Sequence, residues 1–297
     1  MIAKLAIGTV QFGKAYGVSN QHGQTQAEEV RQIIQYAAHC GIDCYDTAPT
    51  YGNSEEVLGT LLHEIGVRQA CRVVTKTPHL KVHTVDEASI EQVRHVFSKS
   101  LEKLNSKRVE GLLVHAANDL LIVGGNILYQ ALRDEKESGR TEKIGVSIYT
   151  GEQIDAILDQ FDIDLIQLPF NILDQHLLHD GQLDRLKDRG VEIHVRSIFL
   201  QGLLLMEREQ LPEYFSNHRA TIGHFHAVAD ERNLTPLQLS LSYGIALPQV
   251  DKIVVGVNNL QQLQEVVAAA QIQVDVEELH ELAVNEPILL NPALWKL

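Results

Sequence analysis

Short apolar runs of about five residues recur along the whole chain, separated by longer stretches whose apolar positions fall three and four apart. The runs lie at 5–9, 42–46, 72–76, 111–115, 143–147, 163–168, 191–197 and 252–256. Helical spacing is clearest at 27–38, where Val30, Ile33, Ile34, Ala37 and Ala38 share a face, and it recurs at 90–104, 127–137 and 260–269. Gly41, Gly139 and Gly190 each follow such a stretch, where a left-handed residue ends a helix. The strand-seven to strand-eight connection is longer and holds two helices, with Thr235-Pro236 opening the second.

Alternation of this kind means parallel strands joined by helical crossovers. An open dinucleotide-binding sheet usually carries a glycine-rich turn after its first strand. Here that turn reads Gly8-Thr9-Val10-Gln11-Phe12-Gly13, with neither G-x-G-x-x-G nor a P-loop lysine. Eight strands within 297 residues fit a closed (β/α)8 TIM barrel, and with no linker or low-complexity segment the expectation is one domain over 1–297.

Composition narrows the class. A formal net charge of −14 argues against a nucleic-acid surface and equally against attachment to an anionic membrane. No apolar run approaches a membrane span, and the first residues lack signal-peptide regions. Three cysteines, Cys40, Cys44 and Cys71, are no disulfide framework, so a reducing, cytoplasmic setting is expected. His176 with His179, and His224 with His226, lack the neighbouring ligands of a metal site and read as surface or packing residues. Trp295 either folds over the barrel mouth or seals its flank.

The chemistry lies at the ends of the runs. They close on Asp46, Lys76, His115, Ser147 and Arg196. A core strand needs no polar residue there, and in a parallel barrel these ends all meet at the C-terminal mouth. Asp46 is in phase with Cys44, Lys76 with Val74, and His115 with Leu113, so each points inward if that phase is the inward one. The segment 46–59 then runs from a strand end into a helix, with Asn53 and Glu56 at capping-box spacing, and sets Tyr51 on a tight loop above the mouth. A nearby ammonium is expected to lower the tyrosine pKa, an Asp to fix the lysine, and the tyrosine to give its proton to a carbonyl oxygen that His115 holds.

These motifs resemble the aldo-keto reductase family: Asp-Thr-Ala-x-x-Tyr-Gly-x-Ser-Glu at 46–55, Thr75-Lys76, Leu112-Leu113-Val114-His115, Gly145-Val146-Ser147, Gln167-Leu168-Pro169-Phe170-Asn171 and Val254-Val255-Gly256. The resemblance implies a barrel that binds NADPH and reduces an aldehyde or ketone. It makes Tyr51 the proton donor, Lys76 and Asp46 its tuners, and His115 the substrate orienter. It assigns Ser147 and Gln167 to the nicotinamide carboxamide and further cofactor contacts to Thr9, Arg196, Ser197, Phe199, Gln201, Gly256, Asn258, Gln262 and Glu265. The expected partner is a small carbonyl substrate, polar and sugar-like or anionic; oligomeric state is left open.

Three positions depart from the family pattern. Ile148 stands where Asn is common after the strand-five serine. Arg196 stands near the usual stacking aromatic, and three roles stay open for it: stacking on the cofactor, holding a substrate anion, or pairing with an acidic side chain. The strand-eight turn 256–266 has no Lys or Arg for a 2′-phosphate, which makes NADH plausible beside NADPH. Asn258 and Asn259 there also read as helix caps. Two rival readings are an aldose dehydrogenase working oxidatively and a non-catalytic nicotinamide-binding or partner-docking module.

Overall fold

The computed structural model describes residues 1–20 and 22–295. Eight parallel strands, β1 (Leu5–Gly8), β2 (Cys44–Asp46), β3 (Arg72–Lys76), β4 (Val109–Val114), β5 (Thr141–Ser147), β6 (Leu165–Pro169), β7 (Glu192–Arg196) and β8 (Lys252–Gly256), hydrogen-bond in chain order. The last pairs with the first through Leu5 and Ile253, which closes the (β/α)8 barrel and removes every sheet edge.

Each crossover is helical because its apolar residues keep helical spacing. The helix Ala27–His39 buries Val30, Ile33, Ile34 and Ala37 against the barrel wall. Gly41, Gly139 and Gly190 all take positive φ just beyond their helices. The two helices between β7 and β8 are Arg219–Glu231 and Pro236–Ala246, the second opened by a Thr235–Gln238 capping box. Strand β2 begins at Cys44 rather than at 42, because the Ile42 N–H bonds to Ala37 O and the Asp43 side chain turns to Arg72.

Inside the barrel Val74, Leu113 and Leu165 form a separate apolar cluster. Gly111 and Gly145 make room for it: a Cβ at Gly145 would lie 3.1 Å from Leu113 Cδ2. Since side chains alternate along a strand, the phase that carries Val74 and Leu113 carries Lys76 and His115 into the mouth. Below the cluster, toward the strand starts, charges are paired. Lys143 Nζ bridges Glu110 (2.7 Å) and Glu192 (2.6 Å), and the His194 hydrogen bond, with Lys143, holds Glu192 down to about 2.

Trp295 packs edge-on to Phe215 at 4.9 Å, with its indole N–H donating to Ile288 O and Leu289 O. The three cysteines are free, and burial pushes Cys44 up to about 12 and Cys71 up to about 11, so both stay thiols. His176 pairs with Asp174, and His226 Nε2 sits 2.9 Å from Leu204 O. No helix among the described residues is long and apolar enough to cross a membrane.

Candidate active site

Strands β2 and β3 deliver Asp46 and Lys76 side by side. Lys76 Nζ donates to Asp46 Oδ1 (2.7 Å) and Oδ2 (2.9 Å) and to Thr47 O (2.9 Å), with Lys76 1% and Asp46 4% exposed. Gln167 Nε2 donates to Asp46 Oδ1 at 2.7 Å from β6. Every donor of the ammonium therefore has an acceptor, which a buried ion pair needs to survive its desolvation. Burial alone would lower the Lys76 pKa, but Asp46 and Tyr51 outweigh it and hold it above the ordinary value.

Tyr51 is placed by backbone contact. Its N–H bonds to Ala48 O, and Gly52 turns with φ +62° directly over Gly13. A Cβ at Gly13 would fall 1.7 Å from Tyr51 O, and one at Gly52 would fall 2.2 Å from Gly13 O, so only glycine permits this approach. Ser54 Oγ pins the loop by donating to Thr9 O and Thr9 Oγ1, both at 2.7 Å. Glu55 braces the helix Ser54–Ile65 on β3, accepting from Thr75 Oγ1 (2.7 Å) and Ser100 Oγ (3.1 Å). The capping box expected of Asn53 and Glu56 is not formed: Asn53 Oδ1 accepts from Gln24 Nε2 instead, and its backbone O receives Val57 N.

The Lys76 ammonium lies 5.0 Å from the Tyr51 ring centroid and Lys14 Nζ 5.7 Å. Burial nevertheless pushes the phenol above its ordinary pKa, Lys76 pulls it down and Asp46 raises it again. This corrects the expectation of a lowered value: because Asp46 neutralises most of the lysine field, desolvation wins, and Tyr51 is a firmly protonated donor. His115 stands edge-on to Tyr51 at 5.9 Å and to His79 at 4.2 Å. Burial first, then Lys76 and His79, force its pKa down to about 2, so the imidazole is neutral.

Ser147 is 3% exposed at the β5 end, and no side-chain hydrogen bond engages its hydroxyl among the described residues. Ile148 is fully buried, its carbonyl accepting from Arg196 Nη2 at 3.0 Å. The Arg196 guanidinium packs on the Tyr149 ring at 4.4 Å and meets no carboxylate among the described residues, which removes the acidic-pairing role for it. Beyond it the chain is strained. Ser197, Leu200 and Gln201 all take φ between 50° and 62°, so Ser197 lies outside the strand, while Phe199 packs half-buried on the core. Gln201 O accepts Val18 N, tying this loop to the segment after β1.

Thr9 is fully buried and its hydroxyl is bound to Asp46 O and Ser54 Oγ, so its side chain offers nothing to a ligand here; it holds the Tyr51 loop. After β8, Gly256 is exposed, Asn259 Oδ1 caps Gln262 N, and Gln262 Oε1 accepts from Asn258 N. Glu265 is exposed and pairs with Gln261. Sequence reasoning missed Gly13, Ser54, Glu55, Gln11, Thr25, Glu29, His79 and Tyr149. Gln11, Gly13, Ser54, Glu55 and Tyr149 stood inside or beside quoted motifs; Thr25, Glu29 and His79 act through contacts between distant segments. A surface cavity of about 480 Å³ near Tyr129 and Asp164 lies away from the strand ends and holds none of these residues.

Comparison with known proteins agrees with this fold. The Aldo/keto reductase family model matches residues 4–284. The chain is 27% identical to L-galactose dehydrogenase of Arabidopsis thaliana, over 96% of this chain and 92% of that one. It is 24% identical to the NADH-specific methylglyoxal reductase of Escherichia coli, over 68% and 65%. A solved structure described as a candidate aldo-keto reductase of Pseudomonas aeruginosa superposes with a TM-score of 0.66 at 25% identity, covering 90% of this chain and 89% of that one.

Proposed function

Since the chain belongs to the Aldo/keto reductase family, we propose that this oxidoreductase reduces a polar aldehyde or ketone, with Tyr51 as the proton donor. The observation that carries the reading is a half-buried tyrosine whose phenol is held above its ordinary pKa beside an ammonium that Asp46 and Thr47 fully coordinate. When Tyr51 gives up its proton, the adjacent Lys76 charge stabilises the phenolate left behind. Neutral His115 offers a ring N–H to the same carbonyl oxygen; a protonated one would repel Lys76. Proton transfer of this kind is worth roughly 10²–10⁴-fold.

A nicotinamide dinucleotide, when bound, supplies the hydride. The residues present suit it. Gln167 engages Asp46 through its amide nitrogen, and among the described residues the Ser147 hydroxyl meets no side chain and two buried amide oxygens near β8, Gln11 Oε1 and Asn258 Oδ1, have no partner. Arg196, a cation with no acid beside it among the described residues, favours a substrate carrying a carboxylate or phosphate. A second reading, oxidation of a sugar by the same residues run in reverse, is favoured by the near full-length likeness to L-galactose dehydrogenase. A retired, non-catalytic scaffold is disfavoured, because a desolvated Lys76–Asp46 pair serves no evident purpose without chemistry.

The test is Tyr51→Phe. Fluorescence titration should find dinucleotide binding unchanged, while turnover in either direction drops by about 10²–10⁴-fold. Near-normal turnover would remove Tyr51 from its role.

A further inference from the structure

We infer that Glu29, with Asn258 and Gln11, selects a dinucleotide whose adenosine ribose carries free hydroxyls and rejects one carrying a 2′-phosphate. The inference rests on the nicotinamide-dependent reading above and names the cofactor of that same site as NAD(H).

In parallel barrels, phosphate sites commonly form at the loops after strands seven and eight, where a helix N-terminus offers free N–H groups. Here the helix Leu260–Ala269 begins two residues beyond Asn258. Two of its first-turn N–H groups already meet side-chain acceptors of the chain itself. Glu29 Oε1, from the helix Ala27–His39, accepts Leu260 N at 2.6 Å. Asn259 Oδ1 takes Gln262 N at 2.8 Å, and Asn259 O takes Leu263 N. A carboxylate thus occupies the spot where the helix dipole would otherwise welcome a phosphate. Among the described residues Glu29 forms no ion pair, and Arg31 on the same helix is engaged with Glu28 and Glu64.

A second, independent observation points to hydroxyl donors. Gln11 is 8% exposed, its Oε1 has no partner, and its amide lies over the bare backbone of Gly256, where a Cβ would come within 2.5 Å of Gln11 Nε2. Asn258 Oδ1 is likewise buried and unpartnered. These groups are contiguous: Thr25 N donates to Gln11 O, and Thr25 Oγ1 donates to Asn258 O. This lining therefore carries one carboxylate and two amide groups whose oxygens lack a partner among the described residues. A ribose hydroxyl can donate to them, whereas a phosphate dianion brings only acceptors and negative charge. No Lys or Arg occurs between 256 and 266 to reverse that sign.

The experiment measures dissociation constants for NADH and NADPH by fluorescence on the intact protein, on Glu29→Gln and on Glu28→Gln. Glu29→Gln keeps an acceptor for Leu260 N–H but loses the charge, and Glu28→Gln removes the same charge from an exposed neighbour as a control. NADH should bind at least roughly 10-fold tighter than NADPH. Glu29→Gln should narrow that gap by strengthening NADPH, while Glu28→Gln leaves it unchanged. NADPH binding as tightly as NADH in the intact protein, or a ratio unmoved by Glu29→Gln, overturns the inference. Binding of neither dinucleotide overturns the reductase reading itself, and the inference with it.

Discussion

The two sides of the barrel mouth are built differently. On the β2–β4 side, Asp46, Lys76, Thr47, Ser54 and Thr9 saturate one another with hydrogen bonds of 2.7–2.9 Å. On the β7–β8 side, Arg196 meets no acid and Gln11 and Asn258 keep unpartnered oxygens among the described residues, and Ser197, Leu200 and Gln201 hold positive φ. Unpaired buried polar atoms cost roughly 1–3 kcal/mol each, and strained backbone costs a similar amount. The saturated side is organised before anything binds, as the proposed proton transfer requires. The open side carries polar groups whose partners must arrive from outside.

The sharpest way to break this comparison is to remove one cation from each side. Lys76→Met leaves Asp46 buried and unneutralised, and urea unfolding should register a loss of about 3–5 kcal/mol. Arg196→Gln forfeits one backbone hydrogen bond and a ring contact, so its cost should stay near 1 kcal/mol. Its effect should appear instead as a raised KM for carboxylate- or phosphate-bearing carbonyls, with neutral ones spared. Equal destabilisation by the two changes would erase the distinction between the sides.

A smaller perturbation tests how the saturated side is held. Gly13→Ala forces apart the segment after β1 and the Tyr51 turn, so stability should fall by about 1–3 kcal/mol. Displacing the phenol should lower kcat, with dinucleotide affinity nearly constant; a change in affinity alone would place the contact on the wrong side of the mouth.

The pH dependence gives the mildest test. His115 titrates at about 2 in the folded chain and near 6.5 when unfolded. Its depressed pKa means that the unfolded chain takes up the proton first, so stability is full above about 6.5 and declines as pH falls below it. His115→Asn should flatten that decline in thermal unfolding between pH 7 and 5. In the same range the intact enzyme's kcat/KM should show no acid limb that the variant abolishes.

Much of this was legible from pattern. β3 and β8 have the bounds their apolar runs predict, and Asp46, Tyr51, Lys76 and His115 converge because parallel strands end at one face. Local signals failed where a distant segment competed. Asn53 has capping spacing, yet Gln24 takes its side-chain oxygen. The tyrosine was expected to acidify beside a lysine, but the same lysine is neutralised by Asp46 and the ring is desolvated.

By itself, then, the sequence determined the barrel and the meeting of Asp46, Lys76 and His115 at its mouth, since hydrophobic period fixes element type and strand ends fix convergence. Tertiary structure alone decided the direction of the Tyr51 shift, the lack of an acid beside Arg196, and the meeting of Glu29 with Leu260 N–H across 231 positions. Those outcomes depend on burial and on which charges face each other, and neither quantity exists until the chain has folded.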